Sequence, residues 1–219
     1  MTNDRAQLIL QTLRITFSAQ KRSRSHGDPF KTLITTIISQ NTNGKNTSKA
    51  FENLSNRFSV EPEVLAKAET SQIERCLRVA GLYKSKAKTI RQVSKTIHDQ
   101  YSDSLEQILS LPLEEARRTL LQFPGVGPKT ADVVLLFASG KPTIPVDTHV
   151  NRVSKRLGLA PAKGDYEAVR TTLQALYTPK DYSDVHLLLI QHGREYCKAR
   201  TPSCNQCPIS QLCPRIRVE

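Results

Sequence analysis

Leu113-Glu114-Glu115-Ala116-Arg117-Arg118-Thr119-Leu120-Leu121-Gln122-Phe123-Pro124-Gly125-Val126-Gly127-Pro128-Lys129-Thr130-Ala131 is the stretch that decides the fold. Ala116, Leu120 and Leu121 recur at helical spacing from Leu113 to Leu121, and a second apolar helix is predicted from about Pro128 to Phe137. Between them Phe123-Pro124-Gly125-Val126-Gly127 breaks the period, so the arrangement is helix, hairpin, helix. Gly125 and Gly127 both allow positive φ and a close approach of backbone to a ligand, and Pro128 suits the first turn of the second helix. Backbone N–H groups at that helix start are ready for a phosphate. Taken alone, a short Gly-x-Gly is also what an ordinary tight αα-hairpin uses.

The same period continues outward from the hairpin. Phe30, Leu33, Ile34, Ile37 and Ile38 lay an apolar stripe on one helix, and further amphipathic segments are read at Ile9/Leu13/Phe17, Ala50/Phe51/Leu54/Phe58, Ala87/Ile90/Val93/Ile97, Val150/Val153/Leu157 and Val169/Leu173/Leu176. No alternating run of strand length competes. The expectation is an all-α protein of roughly ten helices joined by short connections such as Gly27-Asp28-Pro29 and Gly140-Lys141-Pro142. Composition breaks near 21–28 and 140–145 suggest two helical modules. Residues 26–141 form one, containing the hairpin, and residues 1–25 pack with 142–219 as the other.

The 219 residues are 38% apolar and 24% charged, which is globular composition and excludes collagenous and low-complexity classes. Lys and Arg number 32 against 20 Asp and Glu, a net charge of +12, so a densely anionic partner is expected. No apolar run approaches a membrane span, and Met1-Thr2-Asn3-Asp4-Arg5 does not read as a secretory signal. The anionic partner is nucleic acid, an acidic protein or an anionic membrane surface, the last weakened by the missing span, and the chain is expected to be cytosolic (cytoplasmic) or nuclear.

Lys129 falls in the first turn of the helix it opens. A cation at the positive end of a helix dipole is disfavoured, and burial against Val126 and Val133 adds to this, so its amine is expected to be partly neutral and therefore nucleophilic. Eighteen positions later Pro145-Val146-Asp147-Thr148-His149-Val150 leads into another helix, with Asp147 as its N-cap. Capping alone accounts for Asp147, but a capping carboxylate can also place a fixed negative charge beside a reactive centre.

Cys197, Cys204, Cys207 and Cys213 form a Cys-x6-Cys-x2-Cys-x5-Cys run, with Cys76 far away in a helical segment as a small buried apolar residue. Four thiolates so crowded need a cation. Structural zinc usually shows two short Cys pairs, whereas the outer spacings here suit an iron–sulfur cluster better; the spacing leans to the cluster and leaves zinc open. Arg194, Lys198, Arg200, Arg215 and Arg217 frame the motif, as a solvated basic run or as partners for an anion.

Phe-Pro-Gly-Val-Gly-Pro-Lys-Thr-Ala (123–131), Val-Asp-Thr-His-Val-x-Arg-Val (146–153) and the cysteine run, together with Gly81-Leu82-Tyr83-Lys84-Ser85-Lys86-Ala87 and His192-Gly193-Arg194, resemble the endonuclease III branch of the helix-hairpin-helix DNA glycosylases over nearly the whole chain. The resemblance implies two helical modules flanking a DNA-binding cleft, with a [4Fe–4S] cluster on the four cysteines in the module built from both chain ends. It implies a monomeric DNA glycosylase and AP lyase of base excision repair, removing damaged, oxidised pyrimidines from duplex DNA. Lys129 would be the nucleophile at the sugar C1′ and Asp147 the carboxylate that stabilises the developing cationic sugar. Gly125, Val126, Gly127 and Thr130 of the hairpin, Gln40, Asn41, His149 and the wedge Leu82 would contact the DNA, which places the protein with the nucleoid.

One segment departs from the family. Bacterial members read Ser-Ala-Gln-Ala-Thr-Asp where this chain has Ser39-Gln40-Asn41-Thr42-Asn43-Gly44, so Asn41 aligns with the Gln that contacts the orphaned partner base. Lesion and partner-base preference therefore stay open. A monofunctional glycosylase for mismatched or deaminated bases is the alternative within the family, and Lys129 argues against it. A non-enzymatic DNA-binding module is the alternative outside it.

Overall fold

The computed structural model describes residues 3–18 and 27–216. The described residues hold twelve α-helices and no strand: α1 (Asn3–Thr16), α2 (Pro29–Ser39), α3 (Gly44–Arg57), α4 (Pro62–Lys67), α5 (Thr70–Leu77), α6 (Tyr83–Tyr101), α7 (Glu106–Ser110), α8 (Leu113–Leu121), α9 (Pro128–Ser139), α10 (Thr148–Arg156), α11 (Tyr166–Leu176) and α12 (Tyr182–Glu195). This exceeds the expected ten because α4, α5 and α7 have only six, eight and five residues. An apolar stripe needs about two turns to show a period, so such helices leave little trace in spacing. No helix among the described residues is long and apolar enough to cross a membrane.

The chain divides into two compact units, Ser25–Lys141 and Met1–Arg24 together with Pro142–Glu219. The expected border near residue 25 lies outside the described residues. Within Ser25–Lys141 the core begins with α2. Asp28 accepts from the Lys31 N–H at 2.9 Å and Pro29 occupies the first turn, so the helix starts where sequence chemistry puts it. Its stripe of Phe30, Leu33, Ile34, Ile37 and Ile38 is buried as expected, each side chain contributing roughly 1.5–3 kcal/mol over exposure. The stripe faces α9 and α3, while α6 carries Ile90, Val93 and Ile97 against α4 and α5. Cys76 is buried in this core, as a small apolar residue would be.

The hairpin arms α8 and α9 are joined by a buried ion pair. Arg117 donates to both carboxylate oxygens of Asp132, at 2.8 and 3.3 Å. A forked pair out of water fixes angle as well as distance. α9 ends at Gly140, whose φ of +67° gives the left-handed C-terminus that glycine adopts without strain.

The other unit joins the chain's two ends. Ile9, Leu10 and Leu13 of α1 are buried against α12, which offers Val185, Leu188 and Leu189. Arg14 donates to Asp181 at 2.7 Å and to Asp184 at 2.8 Å. α10 packs on both α11 and α12, and Arg5 reaches from α1 to the Leu157 and Leu212 carbonyls, tying the first helix to the cysteine loop.

Candidate active site and metal centre

At the hairpin the structure separates the two glycines. Gly125 has a φ of +71°, and a Cβ there would meet the Thr89 methyl at 2.6 Å. Gly127 does not take the positive φ expected of it: its φ is −91° and ψ 179°, an extended conformation open to any residue. A Cβ on Gly127 would meet no described atom within 4 Å. Gly125 is thus a folding requirement, whereas Gly127 leaves the outer side of the hairpin clear at the N-terminus of α9. Glycine has no side chain with which to cap that helix, so the hairpin keeps the general form of a backbone anion site. Lys129 follows as the second residue of α9, half-buried in its first turn.

Gln40 and Thr130 meet each other within the fold. The Gln40 side-chain amide donates to the Gly125 carbonyl at 3.1 Å and to the Thr130 hydroxyl at 3.4 Å, and Thr130 is only 3% exposed. Both are residues expected at DNA, and within the fold their side chains also brace the hairpin. Asn41 is exposed with a φ of +53°, a conformation asparagine tolerates better than most residues. Asn43 then caps α3 by accepting from the Asn46 N–H at 2.9 Å. The departure from the family pattern therefore has a local role, with Asn43 as cap and Gly44 as first helical residue.

Leu82 is 61% exposed with a φ of +48°, following Gly81 at +65°. It is not a core residue. A leucine held both solvent-exposed and left-handed is strained and apolar in the wrong place, a combination that surrounding structure must impose. Lys86, which spacing alone did not single out, is 4% exposed and donates to the carbonyls of Ile38 at 2.8 Å and Ala80 at 2.9 Å. Burial lowers its ammonium pKa.

On the other unit Asp147 is the N-cap of α10 as expected, accepting from the Val150 N–H at 2.7 Å. Two residues on, His149 sits 3.1 Å from an Arg152 guanidinium nitrogen. Burial pushes the His149 pKa down, and Arg152 and Arg194 reinforce this against the opposing Asp147 charge, so a neutral imidazole is favoured.

Cys197, Cys204, Cys207 and Cys213 line one recess with His192, Arg156 and Arg215. Among the described residues no group of three or more His, Cys, Asp or Glu is placed to hold a single ion. Donors surround the sulfurs. Arg156 Nη1 lies 3.6 Å from Cys197 Sγ, the Arg215 N–H 3.3 Å from Cys213 Sγ, and His192 Nε2 3.7 Å from Cys207 Sγ. Burial raises the Cys207 and Cys213 thiols, so holding thiolates here requires a positive group between them. His192 is 1% exposed, and its Nε2 is the ring nitrogen that faces sulfur. The donor set fits an anionic cluster. Sequence framing pointed to flanking cations, but Arg156 and His192 come from α10 and α12; Arg217 lies outside the described residues.

Residues 34–179 match the family described as the HhH-GPD superfamily base excision DNA repair protein, and residues 197–213 match the iron–sulfur binding domain of endonuclease III. Endonuclease III of Sulfolobus acidocaldarius is 35% identical over 185 residues, spanning 84% of this chain and 81% of that one. Endonuclease III of Bacillus subtilis is 35% identical over 188 residues, 86% of this chain and 82% of its own. A solved structure of a trapped endonuclease III–DNA covalent intermediate superposes with a TM-score of 0.85 at 31% identity, covering 98% of this chain and 97% of that one. The cysteines are thus those of a [4Fe–4S] site, and zinc is set aside. With hairpin, lysine and cysteine loop each in the family's order, this chain belongs to the endonuclease III family of helix-hairpin-helix DNA glycosylases.

Proposed function

We propose that this protein is a bifunctional DNA N-glycosylase and AP lyase of base excision repair, with Lys129 as its nucleophile and oxidised pyrimidines in duplex DNA as its substrates. The observation that carries the reading is Lys129 in the first turn of α9, directly behind a hairpin whose outer side is left clear by Gly127. Support comes from a relative of the same fold having been trapped covalently on DNA.

In this reading the hairpin holds a backbone phosphate through main-chain N–H groups, and Leu82 occupies the stack vacated by the extruded nucleotide. Neutral Lys129 attacks C1′ through its Nζ lone pair, the C1′–N bond breaks, and the base departs with the electron pair and a proton. The C1′–O4′ bond then opens, O4′ taking the electron pair and the second amine proton, which gives a Schiff base; removal of a C2′ proton then expels the 3′ phosphate by β-elimination. Asp147 supplies negative charge to the sugar as positive charge develops on it. The cluster, when bound, would offset part of the charge of the four thiolates and cross-link the loop at 197–213, with Arg156, Arg215 and His192 donating to the sulfurs of the anionic site that results. The protein acts as a monomer, in the cytoplasm with the nucleoid DNA that is its substrate.

Borohydride present during turnover should reduce the imine and trap a protein–DNA adduct on damaged-base and abasic duplexes. Lys129→Gln should abolish trapping and strand cleavage while duplex binding survives. Undiminished adduct in Lys129→Gln would assign the chemistry to another amine. Base release without trapping by the unaltered protein would favour the monofunctional alternative.

A further inference from the structure

We propose that Lys86 is a positioning residue for base extrusion: its buried ammonium clamps the Gln40–Asn41 turn and the Gly81–Leu82 turn into one register. The inference deepens the reading of Leu82 as wedge and rests on it for its functional half.

A lysine that is 4% exposed needs a reason to be charged, because an apolar residue of similar length would fill the space without desolvating an ammonium. The reason is on the acceptor side. Ile38 lies in the last turn of α2, and Ala80 ends the short turn Arg78–Ala80; both carbonyls receive the Lys86 Nζ, at 2.8 and 2.9 Å. Carbonyls at such ends lack helical partners and gather partial negative charge, so one ammonium between them satisfies both. The chain leaves both ends without continuing a helix: Gln40 leaves α2 extended, and Gly81 and Leu82 both take positive φ.

The main chain of the same residue closes the second turn from the other side. The Lys86 N–H donates to the Leu82 carbonyl at 3.0 Å, so the Gly81–Leu82 turn, strained at Leu82, is held between two bonds from one residue. On the first turn the chain of contacts continues, since Gln40 braces Gly125 and Thr130. Lys86 thereby links the turn that exposes Leu82, the turn that exposes Asn41, and the hairpin behind which Lys129 stands, all inside Ser25–Lys141. A wedge works only if it enters the stack where the extruded base has left, which requires its turn and the opposite turn to keep a fixed separation. Clamping by a cation supplies that without any side chain at the surface.

The test uses the cluster-loaded protein with Lys86→Met and Lys86→Arg, read by hydrogen exchange and by kinetics. In Lys86→Met, exchange should rise together in segments 39–43 and 80–83 and stay unchanged at 197–213. Excision from duplex should fall about tenfold or more, while cleavage of a single-stranded abasic substrate changes less than about threefold once folded fraction is matched. Lys86→Arg keeps donors and should recover part of both signals, which separates loss of clamp from loss of fold. Leu82→Ala should cost less in the Lys86→Met background than in the unaltered protein, since both changes disable one device. Exchange confined to one turn, additive losses, or equal losses on both substrates would overturn the clamp. Should Leu82→Ala alone have no effect, the wedge reading fails, and the exchange data still judge the clamp by themselves.

Discussion

The hairpin glycines make opposite predictions although they stand two positions apart. Gly125→Ala puts a side chain at φ +71° and its Cβ 2.6 Å from the Thr89 methyl. The left-handed conformation costs roughly 1–2 kcal/mol for a non-glycine residue, and displacement of a β-branched neighbour by overpacking adds about 1–3 kcal/mol. The sum, about 2–5 kcal/mol, should lower the melting temperature by roughly 4–20 °C for a chain of this size. Gly127→Ala meets neither obstacle, because its φ is −91° and a Cβ there finds no described atom within 4 Å. Alanine is a poorer N-cap than glycine but restricts the unfolded chain more, so the two effects, each of about 0.5–1 kcal/mol, nearly cancel. Its melting temperature should stay within about 2 °C of the parent protein. Yet a methyl group on the clear side of the hairpin stands between the backbone N–H groups and a phosphate, so duplex affinity should fall about tenfold or more. The slope of log affinity against log salt should be nearly unchanged, because no Lys or Arg contact is lost. Melting curves and salt-titrated binding of a lesion duplex measure both. Wild-type affinity in a fully folded Gly127→Ala protein would refute the claim that the hairpin binds phosphate through its main chain.

Asp147→Asn keeps the cap on the Val150 N–H, so stability should be held while base excision slows by two or more orders of magnitude and abasic-site cleavage suffers less; equal slowing of both reactions would remove Asp147 from glycosidic cleavage. Cys204→Ser should lower iron content and visible absorption and unfold the loop at 197–213, because ligand binding energy is folding energy there; zinc in place of iron by metal analysis would contradict the cluster assignment. Duplex binding should weaken steeply with salt, as a chain of net charge +12 making several phosphate contacts requires, and a flat response would contradict such contacts. Burial holds the Lys86 pKa below its ordinary value, so as pH rises toward 10 the folded chain releases this proton first and the unfolded chain binds more. Stability should therefore gain a rising contribution with pH in that window, which urea unfolding at pH 8 and 10 should find in the parent protein and not in Lys86→Met.

The amphipathic stripe of α2, the Asp147 cap, the hairpin between Leu121 and Pro128, the burial of Cys76 and the cluster-type cysteine spacing were all legible in the sequence. These are local matters: helical period, capping chemistry, turn residues and ligand spacing act within a few residues along the chain, where sequence and space coincide. Tertiary structure alone decided that Gly125 and not Gly127 has no room for a side chain, since that depends on Thr89, thirty-six positions away. It decided likewise that the Gln40 amide braces the hairpin, that Arg156 and His192 face the cluster sulfurs, and that Lys86 is a buried cation rather than one more basic residue on α6. Each of these assignments follows from where a hydrogen-bond acceptor or a neighbouring side chain lies after packing. A lysine in Lys84-Ser85-Lys86 reads the same whether it meets water or two carbonyls, and only the fold brings Ile38 and Ala80 to one of them.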